Sequence, residues 1–433
     1  MNRTRLCSAA VLLCFLLSGC EESRFFPRMT EISDFEVAQV FGIDKKGDEI
    51  EITIVADRSS PGEDGSGGKI TEIISFTGIT VVEAISKMDI HSDKRQHLGY
   101  VDFLLIGEEA ARDGLVKYLD FFTRDYESRY STNVFIVRGE TAKDFLLNTA
   151  SEERSIDEAL SNISELVHGL SVTHFLRIID LIGSLGTPQR ATVVPALESK
   201  EIDFGKMLGV EMPEQTFVPA GFAFIKDFKL VDYFEAELAP TYNFLVDQAR
   251  TATYSVPAGD GKYVALNVHC KRTTLKSTWE NGRLEGVKLE LMLYCLLNEQ
   301  HGESYIFSDA ELAAISDTIC RQTEEKLKQI IAQSQDLGQD GIALAERIRM
   351  ESPLKWSRSG LADKWDEIFP TLKIDVTVHA QIRRTYDMRE PLGYFSAELA
   401  AETPSAEKPA TEETPLTGGS ESSVKRHDKE GKV

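Results

Sequence analysis

The chain has 433 residues, 42% of them hydrophobic and 27% charged, with a formal net charge of −22 at pH 7. Those fractions exclude whole-chain disorder and a polytopic membrane protein, and the length allows two or three domains with sizeable cores. The acidic excess excludes a nucleic-acid partner, which needs clustered Lys and Arg, and it opposes adsorption on anionic lipid headgroups.

At the N-terminus, Arg3 and Arg5 precede the apolar run Ala9 to Leu17, followed by the small residues Ser18 and Gly19. A membrane-crossing helix needs about 20 apolar residues, so the run is too short to span. A basic start, a short apolar middle and a small-residue exit describe a secretory signal over residues 1–19. Leu17-Ser18-Gly19-Cys20 resembles the bacterial lipobox, in which the Cys takes a diacylglyceryl group and becomes the mature N-terminus. Cys20 is therefore the expected lipidation site, and two acyl chains hold a protein where one is marginal. Loss of Arg3 and Arg5 makes the mature chain more acidic still. Membrane attachment is then expected from the acyl chains or from protein partners, not from a basic patch.

The first folded segment, taken as residues 20–190, reads as α/β. Val37–Gly42 and Glu49–Val55 flank the turn Asp44-Lys45-Lys46-Gly47-Asp48 as a hairpin, with Ile50, Ile52 and Ile54 on one face. The glycine-rich stretch Pro61–Gly68 lacks the G-K-[ST] ending of a phosphate loop and reads as a plain loop. Thr80-Val81-Val82-Glu83 is a capping box opening a helix to about Met88. Leu98–Ile106 and Asn133–Val137 read as strands buried on both faces, and Glu108–Phe122 and Thr141–Asn148 as helices. That βαβα order implies parallel pairing. Helices over Ile156–Val167 and Thr173–Ser184 close the segment.

A β-rich middle domain is expected over residues 191–275, containing the hairpin Gly221–Phe234 around Lys226-Asp227 and a strand over Tyr263–His269. The third domain, residues 276–390, reads as helices plus antiparallel strands. It holds a strand over Lys288–Leu297, a capping box at Ser308–Glu311 and a long helix striped by Leu312, Ile315, Ile319, Leu327, Ile330 and Ile331. A shorter helix over Ile342–Met350 ends at Pro353, and Leu372–Arg383 alternates apolar with polar residues as a half-exposed strand. From about Ala400 the acidic, Pro-rich tail of residues 391–433 has too little apolar surface to offset its ordering entropy. The fold class is thus mixed α+β and α/β, in about three domains.

Chemistry is sparsely signalled. Of six Cys, Cys7 and Cys14 leave with the signal and Cys20 carries lipid, while Cys270, Cys295 and Cys320 form no C-x-x-C and allow at most one bridge; Cys295 and Cys320 read as small core residues, and none of the three is assigned chemistry. There is no G-x-S-x-G and no H-E-x-x-H. His91 and His97, and likewise His168 and His174, lie six apart, a poor ligand spacing on helix or strand, and His379 has no sequence-local partner. No catalytic residue, metal or cofactor is assigned. Trp356 and Trp365 bracket Leu361 and read as packing of a helix-to-strand junction, with a partner interface as the alternative role.

Four stretches, in order behind the lipobox, carry a resemblance. They are Gly42-Ile43-Asp44; Thr77–Met88 with Leu104–Asp125; Gly221–Phe234; and Leu344–Trp356 followed by Trp365 and Ile368–Arg384. Together they resemble the Ger(x)C family of spore-germination receptor C-subunit lipoproteins. The resemblance implies a three-domain lipoprotein without enzymatic activity. Its expected place is the outer face of the spore's inner membrane, beside two multi-pass receptor subunits of A and B type. Glu21-Glu22 stands where family members often carry Trp-Asp after the lipidated Cys, and the acidic tail is longer than the pattern requires. A solute-binding lipoprotein, with a deep cleft between two lobes, is the alternative class; an envelope hydrolase would need a clustered triad or metal site.

Overall fold

The computed structural model describes residues 35–60, 68–92, 94–150, 155–163, 169–187, 191–203, 213–257, 263–300 and 309–383. The expected signal over residues 1–19, Cys20, His168, Ser308 and residues 391–433 lie outside the described residues.

Strands β1 (Phe35–Lys46), β2 (Glu49–Ser60) and β3 (Gly68–Gly78) form an antiparallel meander, as the alternation of Ile50, Ile52 and Ile54 requires. Helix α1 (Val81–His91) follows. Thr80 accepts the Glu83 N–H at 3.1 Å and Glu83 returns to the Ile79 N–H at 2.9 Å, so the capping box closes one residue early. Short β4 (Arg95–His97) and then β5 (Phe103–Gly107) pair parallel to β1. The expected helix over 108–122 is broken into α2 (Glu108–Asp113) and α3 (Leu115–Arg124) at Gly114, whose φ of +133° suits only glycine. The freed Leu115 N–H donates to Phe228 O at 2.8 Å.

After β6 (Asn133–Val137) come α4 (Ala142–Thr149), α5 (Ile156–Ser161) and α6 (Ile178–Leu185). The expected helix over 173–184 begins only at Ile178, because Leu176 O instead accepts the Val134 N–H. Strands β7 (Thr192–Asp203), β8 (Pro213–Lys226) and β9 (Lys229–Phe234) complete a sheet of order β3-β2-β1-β5-β6-β7-β8-β9, with β4 beside β1. Alternate residues sort to its two faces. Leu104 and Ile106 pack under α1, α2, α3 and α6, whereas Phe103 and Leu105 pack under α4 and α5. The unbroken apolar run of β5 is thereby explained.

Helix α7 (Ala239–Val246) leads to a second sheet, β10 (Thr251–Pro257), β11 (Tyr263–Glu280), β12 (Arg283–Gln300) and β13 (Lys373–Arg383), in that order. The long α8 (Asp309–Asp336), α9 (Leu344–Glu351), α10 (Pro353–Ser359) and α11 (Trp365–Ile368) cross over between β12 and β13. β13 therefore runs parallel to β12, where an all-antiparallel sheet was expected, since so long a connection returns the chain to the same end of the sheet. The stripe Ile315, Ile319, Leu327, Ile330 and Ile331 is buried against this sheet.

The separate middle domain over 191–275 is corrected. β7–β9 extend the first sheet, β10–β11 build the second, and a boundary at 275 would cut β11 in two. The β8–β9 hairpin serves both cores: Ala223, Ile225 and Leu230 face the first, and Phe222, Phe224 and Phe234 face the second.

Candidate functional site

In open α/β sheets ligands settle beyond the C-terminal ends of parallel strands, where helix N-termini attract anions. Here α2 leaves β5 toward one face while α4, after β6, packs on the other. The chain's own carboxylates fill this crevice. Asp44, at the end of β1, accepts the N–H groups of Ala142 and Lys143 at 2.7 and 2.9 Å, so it occupies the N-terminus of α4. Burial pushes its carboxyl up to about 6, against the pull of those two N–H groups. Gly107 makes room for it, because a Cβ there would lie 2.0 Å from Asp44 Oδ1. Beside it Glu51 is bridged by Lys46 at 2.8 Å and Lys143 at 2.9 Å. Glu108 accepts the Gly139 N–H at 2.6 Å and the Tyr233 hydroxyl at 3.1 Å, and Arg138 lies 4.5 Å over the Tyr233 ring while gripping Glu235 with both terminal nitrogens.

A second buried carboxylate does the same for α9. Asp340 accepts the N–H groups of Ile342, Leu344 and Ala345 at 3.3, 2.8 and 2.7 Å, and burial raises its carboxyl to about 6. Sequence reading missed both carboxylates: Asp44 meets a helix that begins 98 residues later in the chain.

The residues singled out from sequence do not converge. His91 bonds to Lys87 O, whereas His97 packs at a tilt against Phe35 and edge-on to Tyr100 with Glu127 3.5 Å away. His174 is buried and stacked on Phe222 at 4.9 Å. Asn243 Nδ2 donates to Ser171 O and Thr173 O at 2.6 and 3.0 Å, which leaves its Oδ1 to accept a hydrogen bond from His174 Nδ1–H at 2.8 Å. His379 stands exposed on β13. Among the described residues no group of three or more His, Cys, Asp or Glu is placed to hold a metal. Cys270, Cys295 and Cys320 are free thiols. The interface role for Trp356 and Trp365 is corrected: they are 8% and 1% exposed, their rings lie 5.6 Å apart, and Trp365 packs on Phe369. Both close the second core, and their indoles are spent on packing.

Open surface is found elsewhere. A groove of about 520 Å³ between α1 and α3 is lined by Ile79, Val82 and Phe121 and rimmed by Lys117, Arg124 and Asp125. Ile79 and Val82 remain 72% and 57% exposed. The groove lies within one helical layer of the first sheet, not in a cleft between lobes. No helix of the described residues is long and apolar enough to cross a membrane.

Comparison with known proteins places this fold. Residues 28–199 match the model of the spore germination protein N-terminal domain, and residues 220–386 that of the spore germination B3/GerAC-like C-terminal domain. Their division between 199 and 220 agrees with two parts to the chain where three were expected. YfkR of Bacillus subtilis (strain 168), described as a candidate spore germination protein, is 23% identical over 381 residues, covering 86% of this chain and 94% of that one. Spore germination protein B3 of the same organism is 21% identical over 370 residues, covering 84% and 92%. The crystal structure of the GerBC protein shares the fold, with a TM-score of 0.50 at 19% identity over 79% of this chain and 96% of its own. With both halves matched in order, the chain belongs to the GerAC-like, or Ger(x)C, family of spore germination proteins.

Proposed function

We propose that this chain is the lipid-anchored C-type subunit of a spore germinant receptor and acts by binding its multi-pass partner subunits of A and B type, not by turning over a substrate. The observation that carries the reading is the match of the germination-protein models to both halves of the chain. The lipobox at Cys20 supports attachment on the outer face of the spore's inner membrane. The crevice where an α/β enzyme would hold an anionic substrate is filled by Asp44 and Glu108, which supports a binding role. Germinant recognition would then fall to the multi-pass subunits, with this ectodomain supporting their assembly or coupling.

Fractionation tests the anchor. Cys20→Ala should move the protein from washed membranes to the soluble fraction at high salt, and retention of the non-acylated chain under those conditions contradicts the anchor. A purified chain that hydrolyses an envelope substrate with saturable kinetics contradicts the binding role.

A further inference from the structure

The second sheet turns one face to the core and the other to solvent. On β12, Leu289, Leu291, Leu293, Cys295 and Leu297 are buried, while Lys288 is exposed and Glu290, Met292, Tyr294 and Leu296 are half-buried on the outer face. Pairing brings cations to that face from far apart in the chain: Arg272 opposite Met292, Lys276 opposite Lys288, and Arg383 opposite Leu296. Lys271 and Lys373 stand there too, both exposed.

The carboxylates among them, Glu290 and Asp375, are already paired with Lys288 at 2.7 Å and Lys373 at 3.2 Å. Among the described residues, Lys271, Arg272, Lys276 and Arg383 lie within ion-pair distance of no carboxylate, although the Lys276 charge adds to that of Lys288 in acting on Glu290. Two of them crowd Tyr294: Lys271 Nζ donates to its hydroxyl at 2.9 Å, and the Arg383 guanidinium lies 5.1 Å over its ring. The Lys271 hydrogen bond, then the Lys271, Arg383 and Arg272 charges, hold the Tyr294 hydroxyl below its ordinary range.

We propose that this face lies against an anionic lipid bilayer, with the four unpaired cations on headgroup phosphates and Met292, Tyr294 and Leu296 at headgroup level. Lys276 and Arg383 are eight residues apart along the β12 register, about 26 Å at the strand rise, so the cations cannot converge on one phosphate. They also spread across β11 and β13, and so form a surface and not the single line that an extended acidic peptide would follow. Tyr beside apolar residues suits the membrane interface, where one end is wet and the other apolar. The chain's net charge of −22 does not oppose this contact, because charges more than about 8 Å from the face are screened at physiological ionic strength. Bulk composition pointed the other way because it averages over faces.

The inference rests on the membrane-attached reading above, but its test uses neither the lipid nor a partner. The Cys20→Ala chain should sediment with phosphatidylglycerol vesicles at physiological ionic strength, not with phosphatidylcholine vesicles, and come off at high salt. Each Lys or Arg near an anionic leaflet contributes about fivefold, so Lys271→Gln, Arg272→Gln and Lys276→Gln together should weaken binding about 100-fold. The same count of Gln substitutions at Arg349, Arg358 and Lys364, exposed on the helical layer behind the sheet, should leave binding unchanged. Thermal midpoints of both triple variants establish that they are folded. No binding to anionic vesicles at physiological ionic strength, or binding that the face variant retains, overturns the proposal. Binding of poly-glutamate without vesicle binding overturns it as well, by assigning the face to an acidic polypeptide.

Discussion

Replacing Asp44 with Ala should cost about 1–2 kcal/mol at neutral pH, the upper range for losing a helix-capping acceptor. The loss orphans the N–H groups of Ala142 and Lys143, now held at 2.7 and 2.9 Å, and part of that cost is offset because a carboxylate is no longer desolvated. The pH dependence is the sharper test. The folded carboxyl titrates at about 6 where the unfolded one titrates at 3.8, because burial outweighs its two hydrogen bonds. Between those values the folded state holds a proton that the unfolded state has released, so wild-type stability gains from this site as pH falls through the window. That shift corresponds to about 3 kcal/mol. The gap between wild type and Asp44→Ala should therefore widen on acidification from above pH 6 to below pH 4, by up to that amount. Urea unfolding followed by far-UV circular dichroism is the suitable assay, since Trp279, Trp356 and Trp365 all lie outside the first sheet and report on the second. A gap that stays flat with pH, or widens toward alkaline pH, refutes the reasoning: the hydrogen bonds would then outweigh burial. Gly107→Ala, whose Cβ would displace the same carboxylate, should reproduce the neutral-pH loss.

Trp365→Ala should destabilise the chain by about 3–5 kcal/mol, and Trp356→Ala by less, with the fraction of folded protein that co-purifies with partners unchanged; thermal unfolding beside co-purification checks both. Asn243→Leu strips the partner from His174 Nδ1–H and from two carbonyls, and should cost about 2–4 kcal/mol, with faster amide exchange over residues 171–176. Burial pushes the Cys295 thiol up to about 12 and raises Cys270 as well, so both should resist alkylation in native protein and react once it is unfolded. Rapid native labelling of Cys295 would contradict its place in the core.

Local periodicity made much of the fold legible. The alternation of Ile50, Ile52 and Ile54 and the stripe Ile315 to Ile331 each describe one element meeting one apolar surface. The run Leu98–Ile106, read as one strand buried on both faces, is such a strand only from Phe103, because Leu98–Tyr100 forms a 3-10 turn that leaves Tyr100 52% exposed. What periodicity cannot supply is the identity of the surface that is met. Phe222 and Phe224 announce a buried face on β8, yet nothing local says that they serve the second core while Ala223 and Ile225 serve the first. The segment 173–177 has helical composition, but its Leu176 carbonyl is claimed by Val134 across the fold. Trp356 and Trp365 posed the same question, core or contact, and it was decided by neighbours such as Phe369 and the second sheet. The cationic face was invisible for a related reason. Lys271, Lys276 and Arg383 are dispersed through an acidic chain, and only the register of β11, β12 and β13 assembles them.

The central claim is that this chain works as a membrane-held receptor subunit. It is tested most directly by affinity purification of the tagged, full-length chain from detergent-solubilised spore membranes, with identification of what travels with it. The expected result is recovery from the membrane fraction together with two multi-pass germinant-receptor subunits in fixed proportion, both lost when Cys20 is replaced by Ala. Recovery of the chain alone, or from the soluble fraction with Cys20 intact, would contradict it.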